Sequence, residues 1–110
     1  MDILLEDKKL LKCATNDSFA KQKLGSQRAI LFKQRLDELR ASQTLKDVRY
    51  LPGHYHELAG DRKGQWACDL DQPYRLIFTP QQRPIPTNET GQYIWIDITS
   101  VEIIEIKDYH

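Results

Sequence analysis

Residues 54 to 66 read His-Tyr-His-Glu-Leu-Ala-Gly-Asp-Arg-Lys-Gly-Gln-Trp, which sets two imidazoles, two carboxylates and two cations around a pair of glycines. The last four residues, Lys107-Asp108-Tyr109-His110, form a second polar cluster directly after an apolar run. With Arg75 these supply the parts needed to cleave RNA without a metal. One imidazole can take the proton from a ribose 2′-hydroxyl and another can protonate the leaving 5′-oxygen; histidine, with an ordinary pKa of about 6.5, suits either role. Guanidinium groups hold phosphate oxygens bidentately, and an aromatic ring can stack on a displaced base. Plainer readings stand beside this one. His54 and His56 could form a metal pair, although no third ligand lies at motif spacing. Gly60 to Gly64 can be a simple turn, since it lacks P-loop spacing. Trp66 suits a core position, and Arg75 can pair across strands with Asp69 or Asp71.

The elements that must position these residues follow from periodicity. Alternation from His54 to Ala59 predicts a strand, and Gly60 to Gly64 a reversal with a basic tip. Gln65 to Leu70 alternates Trp66, Cys68 and Leu70 against Gln65, Ala67 and Asp69. Asp71-Gln72-Pro73 is a turn, and Tyr74 to Thr79 returns with Tyr74, Leu76 and Phe78 on one face, which places Arg75 on the other. Tyr93 to Ile98 and Val101 to Ile106 are apolar and β-prone, the latter being the final strand. Between the strands, Pro80 to Gly91 has loop chemistry and is long for a hairpin connection. Upstream, Ile3 to Leu5 fits a short first strand. A helical pattern begins at Asp7, Asn16-Asp17-Ser18 offers N-caps to a second short helix, and a longer helix runs from Gly25-Ser26 to about Ala41. Its stripe of Ala29, Phe32, Leu36 and Leu39 faces a core while Arg28, Lys33, Arg35 and Arg40 mostly point elsewhere. Thr44 to Asp47 is a capped turn that Pro52-Gly53 ends. Helices first and an antiparallel sheet afterwards predict an α+β domain, N-terminal helices packed on a twisted, mainly antiparallel sheet.

The 110 residues suit a single domain over 1–110. Net charge is zero, which argues against a surface that is wholly an electrostatic glove for nucleic acid. The charge is unevenly spread: residues 1 to 49 carry 11 basic against 7 acidic side chains, residues 50 to 110 carry 5 against 9. Cys13 and Cys68 match no metal spacing and read as free buried thiols in a reducing compartment. No apolar run approaches bilayer length and no signal-peptide core is present, so the expected location is cytoplasmic, with no membrane association and no cofactor.

Three blocks in order, His56-Glu57-Leu58-Ala59-Gly60-Asp61-Arg62-Lys63-Gly64-Gln65-Trp66, Tyr74-Arg75-Leu76-Ile77-Phe78 and Ile106-Lys107-Asp108-Tyr109-His110, resemble the HigB or plasmid maintenance killer branch of the RelE/ParE toxin superfamily. That pattern is a histidine before a Gly-Asp-Arg-x-Gly turn and an aromatic strand residue, a strand bearing arginine, and a closing Asp-Tyr-His. The likeness covers residues 25 to 110 and is vaguer before them. It implies a RelE-like microbial RNase fold and a type II toxin: a metal-independent endoribonuclease (mRNA interferase) that cleaves messenger RNA on the 70S ribosome and so inhibits translation. It also implies neutralisation by a helix-turn-helix, HigA-like antitoxin, the free toxin being a monomer. Carried over by position, His56, Asp108, Tyr109 and His110 form the catalytic set: the histidines as proton-transfer pair, Asp108 as orienter of an imidazole, Tyr109 as positioning aromatic. Arg62, Lys63 and Arg75 suit the scissile phosphate or ribosomal RNA. The chain departs from the pattern in its long Pro80 to Ser100 segment, which could cover the site or contact a partner, and in its neutrality, where ribosome-acting members are basic. Two other readings fit the superfamily: a non-catalytic ParE-like toxin that binds a protein target such as DNA gyrase, and an inactive member that only binds its antitoxin.

Overall fold

The computed structural model describes residues 1–109. The N-terminal part holds β1 (Asp2–Leu4) and four helices: α1 (Lys8–Thr15), α2 (Asp17–Leu24), α3 (Ser26–Ala41) and α4 (Leu45–Val48). Their starts are set by short polar side chains. Asp7 accepts from Leu10 N at 2.9 Å and Asn16 from Phe19 N at 3.0 Å, each satisfying an amide that a first helical turn leaves open. Thr44 N donates to the Asp47 carboxylate at 3.1 Å and fixes α4.

The second half supplies β2 (His56–Glu57), β3 (Trp66–Asp69), β4 (Tyr74–Pro80) and β5 (Ser100–Asp108). The sheet order is β1-β5-β4-β3-β2, antiparallel throughout except for the parallel β1–β5 pair. This is the α+β arrangement that the order of elements predicts. Phe32, Leu36 and Leu39 of α3 pack in one apolar cluster with Trp66, Cys68, Leu76, Phe78 and Ile103 of the sheet. Side chains on a strand alternate between faces, so this cluster defines a helix side. Ala67 and Ile77 belong to the opposite, open face; they are buried yet lie outside that cluster.

A β-bulge decides what else reaches the open face. Ile77 pairs with Glu105 and Phe78 with Ile103, leaving Ile104 as an extra residue on β5. Had alternation continued unbroken from buried Val101 and Ile103, Glu105 and Lys107 would point at the helices. The extra residue reverses the phase, sends Glu105, Lys107 and Tyr109 to the open face and returns Ile106 to the edge of the core.

Three expectations are corrected. Residues 93–98 are not a strand: a single bridge joins Thr87 to Tyr93 and Trp95–Asp97 form one 3-10 turn. The strand through His56 is only two residues long, since residues 52–54 form a turn before it and residues 60–62 a 3-10 turn after it. Arg35 does not point outward. It is buried, donating from Nε to Asp69 O at 2.8 Å and from a terminal nitrogen to both Glu38 oxygens at 3.0 and 3.2 Å. A buried guanidinium is tolerable because Nε and one terminal nitrogen are met by acceptors, one of them a carboxylate.

Candidate active site

The open face carries His56, Asp69 and Arg75 by strand register, joined by the β5 residues that the bulge delivers. His56 stands opposite Ala67, which stands opposite Ile77; Arg75 lies one step along the same face from Ile77. Sheet spacing puts the Cα atoms of His56 and Arg75 about 12 Å apart, a span that two long side chains can close around a ligand. Ala67 and Ile77 form its apolar floor.

His56 Nδ1 lies 2.7 Å from the carbonyl oxygen of His54. A carbonyl only accepts, so Nδ1 carries the proton and neutral His56 keeps Nε2 as its acceptor. The two rings stack with centroids 4.3 Å apart and planes 23° from parallel. His54 Nδ1 is 3.6 Å from one Asp69 oxygen, and the other Asp69 oxygen is 3.5 Å from Arg75 Nε. Arg75 also lies over the Tyr109 ring, 4.9 Å from its centroid. At 3.5 Å without hydrogen-bond alignment, Asp69 holds Arg75 loosely: the facing Oδ1 and Nε are both buried and neither has a hydrogen-bond partner.

Arg62 reaches the same face from the basic turn. It donates to Gln65 at 2.9 Å and meets Glu105 at 3.4 Å, so an incoming anion must compete with that carboxylate. Lys63 turns the other way, its ammonium 5.7 Å from the Tyr93 centroid. There it lines a groove of about 550 Å³ with Glu57, Asn88, Tyr93 and Trp95. Asp108 pairs in register with Tyr74 and therefore lies on the helix side, across the sheet from Arg75 and Tyr109. Tyr109 N donates to Pro73 O at 3.1 Å, which ties the chain end to the β3–β4 turn. His110 lies outside the described residues.

The predicted set is thus divided: His56, Arg62, Arg75 and Tyr109 share the open face, Lys63 faces the groove, and Asp108 is behind the strand. Sequence reasoning gave no role to Glu105, weighed His54 as a strand-edge histidine or half of a metal pair, and treated Asp69 only as an ion-pair partner. Pro52-Gly53 before a histidine was the available signal for His54, because histidine enters the left-handed region more readily than most residues. Among the described residues no group of three or more His, Cys, Asp or Glu side chains is placed to hold a metal ion. The adjoining thiol is inert: burial pushes Cys68 up to about 12.

The segment between β4 and β5 packs against the helix-side core, across the sheet from this face. Trp95 meets Trp66 edge-on at 5.4 Å, lies 5.0 Å from the Tyr93 ring, and donates from Nε1 to Glu57 at 2.7 Å. Glu57 in turn pairs with Arg49.

Among solved structures, this architecture is similar to the YoeB/ParE toxin from Agrobacterium tumefaciens, with a TM-score of 0.52 over 100% of both chains at 11% sequence identity. The likeness is one of fold. Neither a protein-family model nor a curated protein matches the sequence. Among the described residues no helix is long and apolar enough to cross a membrane.

Proposed function

We propose that the protein is a toxin of the RelE/ParE superfamily, HigB-like, that cleaves messenger RNA on the 70S ribosome in the cytoplasm and is held inactive by a helix-turn-helix antitoxin. The observation that carries this reading is the His54 carbonyl on His56 Nδ1, which leaves an unprotonated Nε2 on a sheet face that also bears a loosely held arginine stacked on a tyrosine. Nε2 takes the proton of a ribose 2′-hydroxyl, and the resulting oxygen attacks the adjacent phosphorus. The bond from phosphorus to the 5′-oxygen breaks, giving a 2′,3′-cyclic phosphate and a 5′-hydroxyl. Arg75, with Arg62 once released from Glu105, balances the charge gathering on the phosphate oxygens. Tyr109 supports Arg75 and offers a ring to a base. His110 enters through the family resemblance as donor of the proton to the 5′-oxygen. Asp108, across the sheet from His56, enters through the family resemblance as orienter of an imidazole.

The test is induction of the protein in a bacterial host with transcript ends mapped after a brief pulse. We expect growth arrest with new 5′ ends inside translated regions, and loss of both in folded His56→Ala. Equal toxicity of that variant would overturn the nuclease reading; arrest with intact messenger RNA would point to a ParE-like protein binder.

A further inference from the structure

His54 is the sole non-glycine residue with a positive φ, +55°, among the described residues. A side chain larger than hydrogen is disfavoured there, and such a conformation persists only where its surroundings enforce it. Both flanks do so. Gly53, itself at φ +113°, has its carbonyl held by Asp69 N at 2.8 Å. Tyr55 is buried and donates its hydroxyl to Glu38 at 2.8 Å. The His54 ring lies 3.6 Å from Asp69 and stacks on His56. The product of this bend is a carbonyl aimed back at Nδ1 of the residue two places on, at 2.7 Å. An extended residue at 54 would carry the carbonyl away, because successive strand carbonyls point in opposite directions along the sheet plane.

The geometry points to His54 as a positioning residue whose left-handed backbone, not its imidazole, sets the tautomer and ring orientation of His56. This rests on the reading of His56 as proton acceptor. It makes a specific demand on residue type at 54: the position must accept a left-handed conformation, and a second histidine is not required.

Three variants separate backbone from ring. His54→Gly and His54→Asn keep the left-handed region accessible, whereas His54→Val, β-branched, opposes it. Long-range proton–nitrogen NMR of the imidazoles reads which His56 nitrogen bears the proton, independently of any activity. We expect the Nδ1–H form in the wild type, the Gly and Asn variants, and its loss in His54→Val. Ribosome-dependent cleavage of a defined messenger RNA should then fall in kcat by about 10- to 100-fold for His54→Val, the range lost when the partner that fixes an imidazole is removed. Its KM should stay near wild type, and Gly and Asn should restore kcat. Should His54→Val not fold, His54→Ala, a milder opponent of the same conformation, replaces it with the same expected direction. Retention of the Nδ1–H form in the Val or Ala variant, or its loss in His54→Gly and His54→Asn, would overturn the inference. The expected NMR pattern without cleavage by any variant or by the wild type would leave the positioning role standing and remove the nuclease reading.

Discussion

Gly53→Ala is expected to be the most damaging single-methyl change near the site, and its cost can be worked from two separate terms. At φ +113° any Cβ strains the backbone, which costs about 1–2 kcal/mol. The added atom would also sit 2.7 Å from Arg35 Cζ and 2.9 Å from Nε. A guanidinium is the end of a flexible chain, so on the surface it would simply swing aside. Here it is buried and fixed to Asp69 O and to Glu38, so moving it forfeits hydrogen bonds to a charged group worth about 1.5–3 kcal/mol each. Counting strain and one such bond, with part of the rest recovered by relaxation, the loss is about 3–5 kcal/mol. For a chain of this size that lowers Tm by about 12–20 °C. Gly91→Ala is the internal control: φ is +82° but nothing lies within 4 Å of the new Cβ, so strain alone, about 1–2 kcal/mol, should appear. Urea unfolding followed by the fluorescence of buried Trp66 measures both. Equal losses at the two glycines would refute the reasoning, because the wall that Arg35 builds under residues 53–55 would then contribute nothing.

Stability should be highest between about pH 4 and 8.5 and fall on either side. On the acid side, Arg28 bonds both Asp71 oxygens at 2.9 and 3.0 Å and holds that carboxyl below its usual range; this contribution is present above the unfolded pKa and is lost as pH falls through the folded one. On the alkaline side, burial raises Cys68 and Tyr55, so their contribution is full below their unfolded values and is lost as pH rises; chemical unfolding at stepped pH, with Asp71→Asn flattening the acid limb, checks both signs. Trp95→Ala removes a half-buried indole and its bond to Glu57, costing about 2 kcal/mol, and should speed amide exchange at Asn88, Gly91 and Ile94 more than within β3 and β4.

Strong periodicity made α3, β3 and β4 legible, and with them the open-face position of Arg75. It failed where tertiary contacts overrode local preference. Residues 93–98 satisfy every local test for a strand, yet β5 already has β1 on one edge and β4 on the other, so no free edge of that strand awaits them. Packing of Trp95 on Trp66 fixes the segment instead. Arg35 looked like a solvated arginine because nothing in a single helix announces that Glu38 and a carbonyl 34 residues away will meet it. The run Val-Glu-Ile-Ile-Glu-Ile-Lys is compatible with either face, so the bulge at Ile104 and the placement of Glu105 could not be read from it. His56, Arg62, Arg75 and Tyr109 lay in recognisable blocks, and Asp69 was legible as a cross-strand partner of Arg75; the role of His54 depends on a bend that Pro52-Gly53 hints at and three-dimensional neighbours enforce.

The extra residue on β5 makes spacing a functional quantity in its own right. Deleting Ile104 would remove the bulge and leave Glu105, Lys107 and Tyr109 on the open face, since Ile103 and Glu105 would then alternate directly; keeping Ile104 in an unbroken ladder would instead turn all three into the hydrocarbon under the helices. Relatives with the same terminal motif and one residue fewer before it would display this surface without a bulge, whereas relatives of equal spacing that lack the bulge would not, so motif identity alone would not make them equivalent.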